Sequence, residues 1–380
     1  MKPRMKPRIL ILTDPYGKPS FAPRLRYLCD YLTQQGYSVD VYTEQFQAHD
    51  FPHDYPIYEK PTRQKLWQWA IQSFWSLLTD YRNRKFSKWV QRATTDTPYD
   101  IVFCTTFSTF PLRAAYEVAH SRHIPFIADI RDLDEQVPGA QYQSHRQWWT
   151  RPFRQWYRNT NIRRRNQALR QADMVTTVSP WHVDFIQRTI NPKVHLIYNG
   201  YAPKQFYFAP VKQPQFLISY IGKIYDFQNP TPIEQAVREL NISDIVLNYH
   251  TPTHNPIPIT TVGDEIRRSS ICMVLTNKSA KGMMTTKFYE ALGCEKPVLC
   301  VPSDEGVLAA TIRDTNAGIA TDNKEEIKQF IMEKYREWKA NGYTHQAVQH
   351  KEQFSREYQA RQFEDFFCNT KQCKTHIPYM

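Results

Sequence analysis

No run of about 18 apolar residues occurs, so the sequence offers no membrane-spanning helix. No Cys-x-x-Cys pair occurs either. The seven cysteines are scattered and odd in number, which fits a reduced, cytoplasmic protein whose thiols are small core residues. No Gly-x-Gly-x-x-Gly follows the first apolar run, so the dinucleotide fingerprint is missing. Neither low-complexity segments nor a solenoid-length repeat is visible. The opening MKPRMKPRILILT is basic and then apolar, as a signal peptide is. Its apolar part, ILIL, falls short of the roughly 7–15 residues of an h-region, and Pro3 and Pro7 oppose a helix there.

A chain of 380 residues with 41% hydrophobic residues exceeds one ordinary core and predicts two domains. The charge is divided unevenly. Residues 1–205 carry 29 Lys and Arg against 17 Asp and Glu, whereas 206–380 carry 20 of each. The whole excess of +12 therefore lies in the first half, which predicts a boundary near the middle and an acidic or anionic partner for that half.

The pattern is strand–helix alternation, run twice. RILILT, SVDVYT, YDIVFCTTF, IPFIADI, ADMVTTVS and KVHLIYNG are short apolar runs separated by helical stretches such as PRLRYLCDYLTQQG. The second half restarts with FLISYIG, DIVLNYH, SICMVLT and KPVLCV. Two successions of this kind mean an α/β protein with two parallel sheets wrapped by helices. The expected divisions are 1–205, 206–345, and a C-terminal helix and tail at 346–380 that packs back toward the first domain.

Ligands of such sheets bind beyond the carboxyl ends of strands. The loops there carry Gly17 and Arg24, then RDLDEQ, then Gly200, then Gly222 and Lys223, then NKSAKGMMTTK. Glycine with Lys and Arg at these places suits a phosphorylated ligand. The last loop leads into TTKFYEALG, a helix with Thr285 and Thr286 as polar starters and Gly293 as its stop. Lys287 falls in the first turn, where the partial positive charge of the helix end disfavours a cation. Glu290 makes no capping box, because the residue three before it is Lys287. Helix stability explains neither charge. An anion that uses both the helix end and the lysine explains the first.

In order along nearly the whole chain, GYSVDVYT, IADIRDLDEQ, ADMVTTVSPWHVDFI, IYNGY, ISYIGKIY, TTKFYEALGCEKPVL and NAGIA resemble the retaining, nucleotide-sugar-dependent glycosyltransferases of GT-B architecture, of the family-four, group-one type. The resemblance implies two Rossmann-like domains facing each other across a cleft, acceptor on the first and donor on the second. It implies transfer of a sugar with retention to a glycan or lipid-linked acceptor, as in bacterial-type surface polysaccharide synthesis. The cysteines and the basic, aromatic first half point to a cytoplasmic enzyme that is peripheral at the membrane. The resemblance puts Glu290 on the donor ribose and Lys287 and Lys223 on the diphosphate, with Gly222, Gly282 and Thr286 around them. It puts Gly17 and Arg24 in the acceptor loop. Asp129, Arg131 and Asp132, in the IADIRDLDEQ segment, read as interdomain, catalytic or acceptor-side groups.

The sequence departs from that pattern twice. The residue eight before Glu290 is Gly282 where the family often has a second Glu, and the glycine-rich acceptor loop is reduced to DPYGKPSFAPR, where Arg24 takes over a phosphate-facing role. The chemistry asks for preorganised cations and N–H dipoles at the leaving phosphate and no dedicated nucleophile. Asp132-Leu133-Asp134 has the form of a metal-binding DxD. It follows a strand in a half that otherwise looks metal-free, so a metal-independent reaction without cofactor is expected. Asp129 reads equally as a buried structural carboxylate.

Two basic aromatic segments remain. RQKLWQWAIQSFWSLLTDYRNRKFSKWVQR reads as a helix with Leu66, Ala70, Phe74 and Leu77 or Leu78 against the core. HRQWWTRPFRQWYRNTNIRRRNQALR, which contains Trp148–Arg165, reads equally as a core-packing helix with snorkelling arginines or as a surface for anionic lipid. The rival classes are a polyanion or nucleic-acid binder, for which no recognition motif is present and no nucleic acid is expected, and an epimerase or phosphorylase of the same architecture.

Overall fold

The computed structural model describes residues 6–14, 23–44, 57–60, 66–107, 109–136, 151–280 and 282–374. Within them the chain forms two compact units, divided between Tyr198 and Asn199, with residues from Ala360 on returning to the first.

The first unit is a seven-stranded parallel sheet: β1 (Arg8–Thr13), β2 (Ser38–Glu44), β3 (Ile57–Lys60), β4 (Ile101–Thr106), β5 (Phe126–Ile130), β6 (Met174–Thr177) and β7 (Val194–Leu196), in the order β3-β2-β1-β4-β5-β6-β7. Its helices are α1 (Pro23–Gln34), α2 (Leu66–Thr79), α3 (Tyr81–Ala93), α4 (Leu112–Ser121), α5 (Arg151–Arg170) and α6 (Pro180–Thr189). The strands read as nearly continuous apolar runs because both faces are covered. Leu10, Leu12, Val102 and Ala128 enter one core layer, and their neighbours Ile9, Ile11, Phe103 and Ile127 enter the other.

The second unit carries β8 (Phe216–Ile221), β9 (Ile245–His250), β10 (Ile271–Leu275), β11 (Val298–Val301) and β12 (Gly318–Ala320), all parallel, in the order β12-β11-β10-β8-β9. Around them lie α7 (Thr231–Leu240), α8 (Val262–Arg268), α9 (Thr286–Gly293), α10 (Val307–Asp314) and α11 (Lys324–Asn341). The strand order reverses between β8 and β10, so the loops after these two strands flank a topological switch point.

The division at 198/199, rather than the expected 205/206, has a hydrogen-bond cause. Tyr201 donates its N–H to Phe354 O (3.0 Å) and accepts from Arg356 N–H (2.8 Å), tying 199–205 to the second unit. A Cβ on Gly200, which has φ +64°, would lie 2.6 Å from Phe354 O. Its glycine is required by this close approach, not by a phosphate loop. The last helix, α12 (Arg356–Lys374), starts beside this bridge, and its Ala360, Phe363 and Phe367 belong to the second core layer of the first sheet. Gly293 also differs from expectation. It is the final residue of α9, and the left-handed residue beyond it is Glu295. A Cβ on Gly293 would sit 2.5 Å from the Tyr201 ring, so the absent side chain makes room for an aromatic one.

Candidate functional site

The site begins with α9. Thr285 caps it, its hydroxyl accepting from the Lys287 N–H at 3.4 Å. Phe288, Tyr289, Ala291 and Leu292 are buried and fix the helix against its unit. With that face anchored, Lys287 and Glu290, three residues apart, share a different face. Both are half-buried. With Ser219 and Ile221 of β8, Ile266 of α8, and Cys272 and Met273 of β10 they line a small cavity at the switch point.

The lysine is held by its surroundings rather than by an acid. Its Nζ lies 5.2 Å from the centroid of the Tyr220 ring, a cation–π contact. Gly222, directly after β8, has φ +121° and donates its N–H to His250 O (2.8 Å). A Cβ there would be 2.9 Å from Lys287 Cε and 3.1 Å from Nζ. The backbone angle calls for glycine, and a Cβ there would push the flexible end of the lysine aside.

Among the described residues neither Lys287 Nζ nor the Glu290 carboxylate makes a hydrogen bond or an ion pair. Burial lowers the Lys287 ammonium from its ordinary value, with Glu290 acting the other way. Burial pushes the Glu290 carboxyl up to about 6, opposed by Arg356 and Lys287. Ser219 Oγ, buried in the same cavity, has no hydrogen-bond partner. Opposite charges and a hydroxyl without partners at a switch point are the groups a polar ligand would satisfy.

The other expected donor residues are nearby but turned differently. Lys223 is exposed, with its ammonium 5.1 Å from the Tyr225 ring centroid, and its carbonyl accepts from the Tyr220 hydroxyl (2.8 Å). Gly282 is buried with φ +75° in the loop before α9, and Thr286 is exposed at the first helical position. The sequence reading missed Ser219, Tyr220 and Arg356. The two strand residues lie inside the resemblance segment ISYIGKIY, where only Gly222 and Lys223 after the strand stood out, and Arg356 arrives from 66 positions beyond Glu290 in the chain.

In the first unit the acceptor-side expectation needs correction. Asp129 is fully buried and accepts from Arg24 Nη1 (2.6 Å), Thr105 Oγ1 (2.7 Å) and Thr176 Oγ1 (2.7 Å). Arg24 also donates to Ile197 O (2.9 Å) and lies over the Phe363 ring at 5.1 Å. The pair is an internal tie between α1, β5, the end of β7 and α12, the structural reading of Asp129 that the sequence also allowed. Arg131 pairs with Asp14 (3.2 Å) and lies over the Phe107 ring. Burial pushes the Asp14 carboxyl up to about 6, against the pull of Arg131. Asp14 directly follows the switch-point strand β1, and it was not singled out in the sequence. Gly17 lies outside the described residues. Asp132 is exposed, and Asp134 opens a short 3-10 turn whose carbonyl accepts from Arg158 (2.6 Å). Among the described residues no three His, Cys, Asp or Glu side chains gather as a metal site.

The two basic segments also differ from their first reading. Phe74 and Leu78 of α2 are exposed, and Leu77 alone of the named stripe whose side chains are described is buried. In α5, Arg165 makes a buried two-point pair with Glu135, and Arg164 donates to Ser76 O and Leu77 O. These arginines are structural ties. Trp148 and Trp149 lie outside the described residues.

Residues 23–205 match the model of Glycosyltransferase Family 4. The matched span covers most of the first unit and ends before the α9 site. Among solved structures, HepE of Anabaena in complex with UDP is similar over 95% of this chain and 100% of its own, at 12% identity and TM-score 0.66. Sucrose-phosphate synthase of Thermosynechococcus elongatus is similar over 95% and 98%, at 16% identity and TM-score 0.64. A Listeria monocytogenes protein described as a putative UDP-N-acetylglucosamine 2-epimerase is similar over 94% and 95%, at 12% identity and TM-score 0.56. No curated protein matches the chain. The fold is the two-sheet α/β fold of GT-B glycosyltransferases.

Proposed function

We propose that the protein is a retaining glycosyltransferase that moves a sugar from a nucleoside diphosphate to a glycan or lipid-linked acceptor, in surface-polysaccharide synthesis. The observation that carries this reading is the pair Lys287 and Glu290, without a hydrogen bond or ion pair and one helical turn apart beside Gly222 at the switch point of the second sheet. In this reading the anomeric carbon–oxygen bond to the diphosphate breaks and the acceptor oxygen bonds that carbon from the same side. The acceptor's proton passes to the departing phosphate oxygen. Lys287 and the α9 N-terminus stabilise the charge gathering on that phosphate, so no metal is needed. Glu290 accepts from the ribose hydroxyls, and a charged acceptor holds them more strongly than a neutral one. Lys223 reaches the diphosphate once its side chain leaves the Tyr225 ring.

UDP is the first base to test, because HepE was solved with UDP and with UDP-glucose. Sugars linked to UDP, GDP, ADP and dTDP are screened for a rise in melting temperature, since a ligand bound only by the folded state stabilises it. One base is expected to raise it in wild type and to fail with Glu290→Gln. Binding of none, or equal binding by Glu290→Gln and Lys287→Ala, overturns the reading. The similarity to the putative epimerase favours the second reading, nucleotide-sugar epimerisation. Conversion of the donor sugar without any acceptor would establish that one instead.

A further inference from the structure

The first unit leaves an unusual surface in water. Helix α2, LWQWAIQSFWSLLT, contains no charged residue. It buries Leu77 but exposes Ile71 (49%), Phe74 (54%), Trp75 (50%) and Leu78 (48%). The spacing i, i+3, i+4, i+7 places these four on one stripe of the helix. A soluble chain seldom leaves so many large apolar side chains together without a partner.

The chemistry beside the stripe says which partner. After Asp80 the chain enters α3, which packs against α2 and carries Arg82, Arg84, Lys85, Lys88 and Arg92 with no acidic residue. Arg82 is engaged by Glu44 (2.6 Å), whereas Arg84, Lys85, Lys88 and Arg92 are exposed. Helix α5 has no acidic residue either. Its Arg164 clasps Ser76 O and Leu77 O at 2.6 Å each, which fixes the last turn of α2. The stripe is thus held outward by the fold, beside a face of one sign. A second copy of this chain fits it poorly, because a two-fold contact through α2 brings the cations of α3 near their own copies.

We propose that α2 is an interfacial anchor that lies in the headgroup layer of an anionic bilayer. Ile71, Phe74, Trp75 and Leu78 enter among the lipids, and Arg84, Lys85, Lys88 and Arg92 meet lipid phosphates. Apolar burial and electrostatic attraction act together in such helices. The inference stands on exposure and charge and does not depend on the donor reading. It also moves the lipid-facing role away from Trp148–Arg165, whose Arg164 and Arg165 are engaged inside the protein.

Full-length protein is sedimented with vesicles of phosphatidylglycerol mixed with phosphatidylcholine and with vesicles of phosphatidylcholine alone, across a salt series. Binding to the anionic vesicles that weakens with salt, and little to the neutral ones, is expected. Phe74→Ser with Trp75→Ser should reduce partitioning roughly ten-fold or more, since two aromatic side chains no longer leave water. Arg84→Gln, Lys85→Gln and Lys88→Gln together should reduce it roughly a hundred-fold at low salt. All replaced side chains are exposed, and unchanged melting temperature and circular dichroism show that the variants fold. Wild type that binds neither vesicle, or both equally, overturns the proposal. So does an aromatic variant that binds like wild type. If that variant only converts a dimer to a monomer, the stripe is a contact between copies.

Discussion

Lys287 lies across Gly222, so close that a Cβ on the glycine would stand 2.9 Å from Lys287 Cε. The consequence is mutual. The glycine lets the lysine extend over the end of β8, and a larger residue there would displace the end of the lysine side chain. Gly222→Ala should lose about 1–3 kcal/mol of stability from its backbone angle alone. It should also weaken donor binding by displacing the ammonium. Gly222→Ala combined with Lys287→Ala should recover only the small part of the loss that comes from displacing the lysine, since the backbone strain remains. Melting curves of the two single variants and the double variant measure the coupling, and strictly additive losses would show that the two side chains do not compete.

Glu290 gives a pH signature. Its carboxyl is raised from 4.5 to about 6 by burial. A carboxyl whose pKa rises on folding holds its proton more tightly in the folded state. Its contribution to stability is therefore greatest below 4.5 and declines as pH rises through about 6. Glu290→Gln removes this and should be more stable than wild type at neutral pH by roughly 1 kcal/mol. Affinity for a nucleotide sugar, whose diphosphate does not titrate in this range, should rise with pH through about 6 in wild type and stay flat and low in Glu290→Gln. Calorimetric titration at several pH values checks both halves. Asp14 is raised into the same window, so the difference between wild type and variant is the quantity to read.

Arg24→Ala should behave as a core lesion. It leaves the Asp129 carboxylate buried with only the hydroxyls of Thr105 and Thr176, at a cost of about 3–5 kcal/mol. Below its lowered melting temperature, donor affinity should match wild type. A loss of donor affinity without a loss of stability would return Arg24 to the site.

Transfer activity should survive EDTA, with Lys287 and the start of α9 taking the place of a divalent ion. Loss of activity with EDTA that Mn²⁺ or Mg²⁺ restores would make Asp132 and Asp134 metal ligands.

The strands and the Lys287–Glu290 pair were legible in the sequence for one reason: each conflicts with, or obeys, a local rule. Apolar runs have few other uses, and a lysine in the first turn of a helix contradicts the helix's own electrostatics. Arg24 and Asp129 were ambiguous because a charge in a loop or at a strand end looks the same whether it meets a ligand or a buried partner 105 positions away. Gly293 and Gly200 have the same ambiguity. A glycine at a helix end or after a strand signals a need for space, and only the fold shows that Tyr201 and the backbone at Phe354 take it. The exposed stripe of α2 was hidden for the opposite reason. Its spacing is that of any buried helix face, and periodicity does not tell water from core.

The placement of α12 has a consequence for synthesis on the ribosome. Phe363 and Phe367 pack edge-on against Phe103 of β4, with ring centroids 5.3 and 5.4 Å apart, and help close one side of the first sheet. Every strand of that sheet has been made by Leu196, yet these rings emerge only after the entire second unit has been translated. The nascent first unit therefore waits with one layer of its sheet unsealed while the later unit is being made. Unit order in the gene and order of completion in folding are reversed, and the early unit is the one that needs shelter from aggregation in the interval.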